Sequence, residues 1–184
     1  PTTNGTGVVH TKREENMKAN IGITDKNREA VAKLLNDLLA DEYVLYTKTR
    51  NFHWNVQGPQ FNDLHKFFEA QYEALNESID EVAERVRHLG GTTVATLAEF
   101  AKTTRLKEQP GKVLRAMDMI EALLKDHEAV IRTLRTDQEA CAEERGDRRV
   151  ASLVPEETHG YLYPAPWYGI VASAELLVTK VKDA

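Results

Sequence analysis

Five residues in the first half of the chain have the side chains and the spacing of transition-metal ligands: His53, His65, Glu69, Asp80 and Glu84. Imidazole together with carboxylate suits iron, zinc or manganese, and a site with open positions supports redox chemistry. The steps between these residues are twelve, four, eleven and four. Four residues apart on a helix means one face, so His65 pairs with Glu69 and Asp80 with Glu84. The centres of the two pairs lie fifteen residues apart. On one helix that is ~22 Å at the standard rise, too far for one ion. Two copies packed antiparallel through this helix close the gap. The His65/Glu69 pair of one copy then faces the Asp80/Glu84 pair of the other, with the dyad near Ala74 and Leu75, and two equivalent sites result. His53 reaches the His65 end. Acidic helix faces are ordinarily solvated and single histidines are ordinarily core or surface residues. The closure of all five across a pair is what singles these out.

Helices must hold them. Thr24 caps a first helix and Asp25 puts a negative charge in its first turn, where the helix dipole favours one. Val31, Leu34, Leu35, Leu38, Leu39, Leu45 and Tyr46 recur at helical steps to about His53, and Gly58-Pro59 breaks the chain. A second helix is expected from Pro59, a residue favoured at the first helical position, to Gly90-Gly91. A short amphipathic piece with Val94, Leu97, Ala98 and Ala101 lies in the connection to a third long helix, expected over 111–145. Residues 150–169 carry Pro155, Gly160, Pro164, Pro166 and Gly169, so no long helix runs through them. Residues 170–182 suit one short helix. The fold class is therefore all-α: a four-helix bundle with a short extra helix in the connector between the second and third long helices, and an atypical C-terminal fourth helix. The expected division is a tail over 1–22 and a bundle domain over 23–184, with 148–184 divergent.

Composition sets the bounds. The chain has 184 residues, 41% hydrophobic and 29% charged, and a net charge of −5. That suits one globular domain with its own core, and bulk charge gives no support to nucleic-acid binding. Cys141 is the only cysteine, so no intrachain disulfide forms. It reads as a buried-side helix residue, and His88 and His127 as structural or surface residues. No apolar run reaches the ~18–20 residues that span a bilayer, and Pro1 to Asn20 lack a signal-peptide core, so a cytoplasmic protein is expected.

The run Asn51-Phe52-His53-Trp54-Asn55-Val56, then Gly58, then His65, and the run Asp80-Glu81-Val82-Ala83-Glu84-Arg85 ending at Leu89-Gly90 closely resemble the Dps family, the miniferritins. Asp41-Glu42-Tyr43-Val44-Leu45-Tyr46 belongs to the same resemblance, which covers roughly residues 20–147. It implies a ferritin-like bundle assembled into a hollow dodecamer, a cytoplasmic or nucleoid-associated ferroxidase. Ferrous iron is oxidised, by hydrogen peroxide in preference to dioxygen, and stored as ferric mineral, which protects DNA. The resemblance gives His53, His65 and Glu69 from one chain and Asp80 and Glu84 from the other. The family more often has Asp where Glu69 stands, and the extra methylene shifts that ligand or lets it act through water. Trp54 beside the site is either a radical-trapping electron donor or a buried core residue, and both readings stay open.

After Asp147 the motifs run out. Glu143, Glu144 and Asp147 remain candidates for an iron-entry pore, with Arg148 and Arg149 opposing them electrostatically. Residues 167–183 are expected to take part of the fourth helix's role. The tail, including His10, has few net positive charges, so only weak DNA binding is expected. A DNA-compacting cage and a redox-inactive buffer of divalent metals, zinc or manganese among them, are the alternative functions. A ferritin-type internal site would need two Glu-x-x-His motifs, and only Glu156-x-x-His159 is present, in the Pro/Gly-rich segment.

Overall fold

The protein's structure, a computed structural model, describes residues 23–143. The N-terminal tail with His10, the pore candidates Glu144 and Asp147, and the divergent segment 148–184 lie outside the described residues, as do the side chains of Cys141 and Glu143. Among the described residues four helices follow one another: α1 (Asp25–Asn55), α2 (Phe61–His88), α3 (Leu97–Thr103) and α4 (Ala116–Glu143). No strand occurs among the described residues, as the all-α reading requires.

Local chemistry sets the boundaries. The Thr24 side chain accepts from the Asn27 N–H at 3.3 Å and starts α1. Proline 59 does not begin α2 as expected. The Phe61 N–H donates to the Gly58 carbonyl at 3.1 Å, and Gln60 sits at φ −90°, ψ 12°. These are the marks of a type I turn with Pro59 at its second position, where the same ring-fixed φ serves equally well. Gly58 itself has φ 115°, which only glycine adopts without strain. At the far end of α2 the Gly91 N–H reaches the Val86 carbonyl and the Gly90 N–H the Arg87 carbonyl, with Gly90 at φ 78°. This Schellman ending confirms the Gly-Gly stop.

The α1–α2 hairpin is the spine, and α3 and α4 pack on α1. Two apolar clusters fill it. One joins Val31, Leu35 and Leu39 to Val82, Val86 and Val130, and the other joins Leu45, Phe52 and Phe68 to Leu75, Ile120 and Leu123. Between their contributions the long helices bury polar residues, among them Asp41 and Glu42 on α1, Ser78 on α2 and His127 on α4. The Ser78 hydroxyl donates to Glu42 at 3.0 Å. Helix α3 turns the opposite side inward from the one its sequence suggested. Leu97 is 72% exposed, Ala98 and Ala101 are exposed, and Phe100 alone is buried, stacked on Tyr43 at 4.1 Å. Asp41 fastens the segment after α3 by accepting from Thr104 Oγ1, Arg105 N–H and Arg105 Nε. Helix α4 begins at Ala116, five residues later than expected, because Gly111 (φ 75°) sits in a turn closed by the Lys112 N–H and the Gln109 carbonyl. Among the described residues no helix is long and apolar enough to cross a membrane.

Candidate metal centre

The Gly58-Pro59 turn folds α2 back so that His53, in the last turn of α1, meets His65, in the second turn of α2. Their rings stack with centroids 3.7 Å apart and planes 20° from parallel. On the same two helix ends Phe52, Val56, Leu64 and Phe68 are buried in one apolar cluster. Each ring is anchored to the other residue's backbone. His53 Nδ1 lies 2.8 Å from the His65 carbonyl, and His65 Nδ1 lies 2.9 Å from the His53 carbonyl. A carbonyl only accepts, so both Nδ1 atoms carry the proton and donate it. In the neutral rings both Nε2 atoms then keep a lone pair. Fixing one ring nitrogen on a carbonyl so that the other is basic and oriented is how proteins prepare imidazoles for metals.

His53 is buried, His65 is half-buried, and Phe61 covers the outer face of His65 at 5.1 Å. Glu69 is half-buried one turn beyond His65. Tyr72 follows, with its ring edge 5.3 Å from His53. Partial burial, with the negative charges of Glu69 and Glu73 adding to it, raises the Tyr72 phenol above its ordinary value. Trp54 is 64% exposed, so within one chain it is not a core residue, and the Arg50 guanidinium lies 4.9 Å over its ring.

Asp80 and Glu84 stand exposed on the far part of α2. That helix is unbroken from Phe61 to His88. The separation of ~22 Å between the two ligand pairs therefore holds in the folded chain. Among the described residues no three His, Cys, Asp or Glu side chains converge to hold a metal within one chain. One chain brings together His53 and His65, with Glu69 adjacent, and leaves Asp80 and Glu84 at a distance. Spacing did not reveal the ring neighbours Phe61, Arg50, Tyr46 and Tyr72. Their recurrence at helical steps with the histidines was the available signal.

Two long helices in a hairpin, a short helix in the connector and a third long helix define a ferritin-like fold, and a ferritin-like domain matches residues 32–157. That match runs ten residues past the point where the motifs give out. A DNA protection during starvation protein of Brevibacillus brevis is 37% identical over 127 residues, covering 69% of this chain and 84% of that one. A low temperature-induced protein of a Nostoc species is 44% identical over 137 residues, 74% of this chain and 76% of its own. The Dps protein of Vibrio cholerae, described as a member of a broad superfamily of ferritin-like diiron-carboxylate proteins, superposes with a TM-score of 0.70 at 26% identity over 91% of this chain and 96% of its own. The Dps protein of Bacillus brevis does so with 0.68 at 31% identity, over 88% and 98%. The chain belongs to the Dps family.

Proposed function

We propose that this protein stores and detoxifies iron, oxidising ferrous ions at sites shared by two copies of the chain and holding the ferric product inside a hollow dodecamer, to the benefit of DNA. The reading is supported most by one observation: His53 and His65 are locked by reciprocal carbonyl bonds with both Nε2 atoms left as acceptors. Ferrous iron, the substrate, binds to these nitrogens and to Glu69, and a second copy supplies Asp80 and Glu84. The two imidazoles contribute neutral ligands and the carboxylates offset the charge of the ion, which stabilises the ferric product over the ferrous substrate. Peroxide, the preferred oxidant over dioxygen, occupies an open position on the iron. Trp54 is retained as a nearby electron donor. Glu143, Glu144 and Asp147 are retained as carboxylates of an entry pore, and zinc or manganese as ions the same ligands accept. A cytoplasmic location accords with this role.

Anaerobic loading with ferrous iron followed by peroxide tests the reading. Ferric absorbance rises in a fast phase in the parent, and His53→Ala and Asp80→Ala each abolish that phase. Oxidation at the parent rate in both variants contradicts the site. Binding of ferrous iron with no turnover under peroxide or dioxygen favours a metal buffer instead.

A further inference from the structure

A column of aromatic rings leads away from the paired histidines. His53 meets Tyr72 edge-on at 5.3 Å, Tyr72 meets Tyr46 edge-on at 6.1 Å, Tyr46 lies 5.9 Å from Tyr43, and Tyr43 stacks on Phe100 of α3 at 4.1 Å. Helical spacing builds it: Tyr43, Tyr46, Arg50 and His53 recur on one face of α1, and His65, Glu69 and Tyr72 on one face of α2. Arg50 Nη1 donates to the Tyr46 hydroxyl at 2.7 Å, and its guanidinium carbon lies 5.3 Å from the Tyr72 ring and 5.4 Å from the Tyr46 ring. Aromatic stripes of this spacing ordinarily just fill a core. These three tyrosines differ in being only half-buried, consecutive in contact, and joined at one end to a candidate ligand ring.

The reaction proposed above gives such a column work. Ferrous iron yields one electron and hydrogen peroxide takes up two. A site holding a single ferrous ion when peroxide arrives is one electron short, and the shortfall otherwise leaves as hydroxyl radical. We propose that Tyr72 supplies that electron and that Tyr46 and Tyr43 refill it, making the column a one-electron relay from the metal centre to the contact between α1 and α3. The step balances: one ferrous ion, one peroxide, one proton from solvent and one tyrosine give one ferric ion, two waters and one tyrosyl radical. The peroxide O–O bond breaks, iron and tyrosine are each oxidised by one electron, and the phenolic proton enters water. Each later hop exchanges one electron and one proton between neighbouring tyrosines. Trp54 is a side branch, because it touches the column through Arg50.

The relay rests on the ferroxidase reading, and one experiment separates the two. The assembled full-length protein, loaded anaerobically with less than one ferrous ion per His53/His65 pair, is mixed with hydrogen peroxide and frozen. Paramagnetic resonance and ferric absorbance are then read on the same sample, with ring-deuterated tyrosine to tell tyrosyl from tryptophanyl radical. The parent is expected to give a tyrosyl signal that narrows on deuteration. Tyr72→Phe is expected to lose that signal while still forming ferric iron, with a rise in spin-trapped hydroxyl radical. Ferric iron without a tyrosyl signal in the parent, or an unchanged signal in Tyr72→Phe, overturns the relay alone. No ferric iron in the parent overturns the ferroxidase reading and the relay with it.

Discussion

A neutral imidazole in the middle of an apolar bundle ties stability to pH. His127 is 1% exposed, and burial pushes its pKa down to about 3 from the ordinary value near 6.5. Between those two values the unfolded chain binds a proton that the folded chain does not. Stability therefore falls as pH drops through that window, by about 1.4 kcal/mol per unit from this residue. Urea unfolding at pH 7 and pH 5 checks it: the parent is expected to lose more stability between them than His127→Gln, and equal losses would contradict the assignment. The sequence allowed His127 to be core or surface. It stands at helical steps from Ile120 and Leu134, and α4 buries it together with Met119, Ile120 and Leu123.

At the scale of the elements, the α1–α2 turn positions the candidate centre. Gly58 at φ 115° is strained for any other residue, at a cost of about 1–3 kcal/mol. In Gly58→Ala that strain is relieved by shifting the turn, so His53 and His65 separate and anaerobic affinity for ferrous iron drops, about tenfold for each 1.4 kcal/mol lost. Unchanged affinity, with the helices intact by circular dichroism, would show that the turn does not set the site. Asp41 makes a second, independent test. It is 1% exposed and accepts three bonds from Thr104 and Arg105. Asp41→Ala leaves those donors unmatched and is expected to cost about 1–3 kcal/mol in urea unfolding, with ferrous affinity retained.

Much of this level was legible beforehand because it is local. Thr24 and Asp25, Gly58-Pro59 and Gly90-Gly91 each act through their own backbone or the adjacent turn. What escaped was either locally ambiguous or dependent on contacts distant in sequence. Pro59 served a turn rather than a helix start, since both use the same φ. Seven residues are too few for periodicity to show that α3 buries Phe100 rather than Leu97. The ligand candidates were readable as two pairs on one helix, but not the stacked, doubly anchored geometry of His53 against His65. That geometry exists only after the chain turns back on itself.

For the whole molecule, charge and copy number matter most. Each chain carries a net −5, so the proposed shell of many copies would repel duplex DNA while gathering cations. In a gel-shift assay at low salt the assembled protein is expected not to retain duplex DNA, and tight retention that weakens steeply with salt would show a basic surface outweighing the net charge. The central claim is that the metal centre is assembled from two chains, and complementation in trans tests it most directly. His53→Ala/His65→Ala and Asp80→Ala/Glu84→Ala are prepared separately, each expected to lack fast ferrous oxidation, then unfolded together in equal amounts and reassembled. Half of randomly formed pairs are mixed and each mixed pair keeps one intact site, so fast ferric formation should return to about a quarter of the parent amplitude. A mixture as inactive as either variant alone would contradict the shared site.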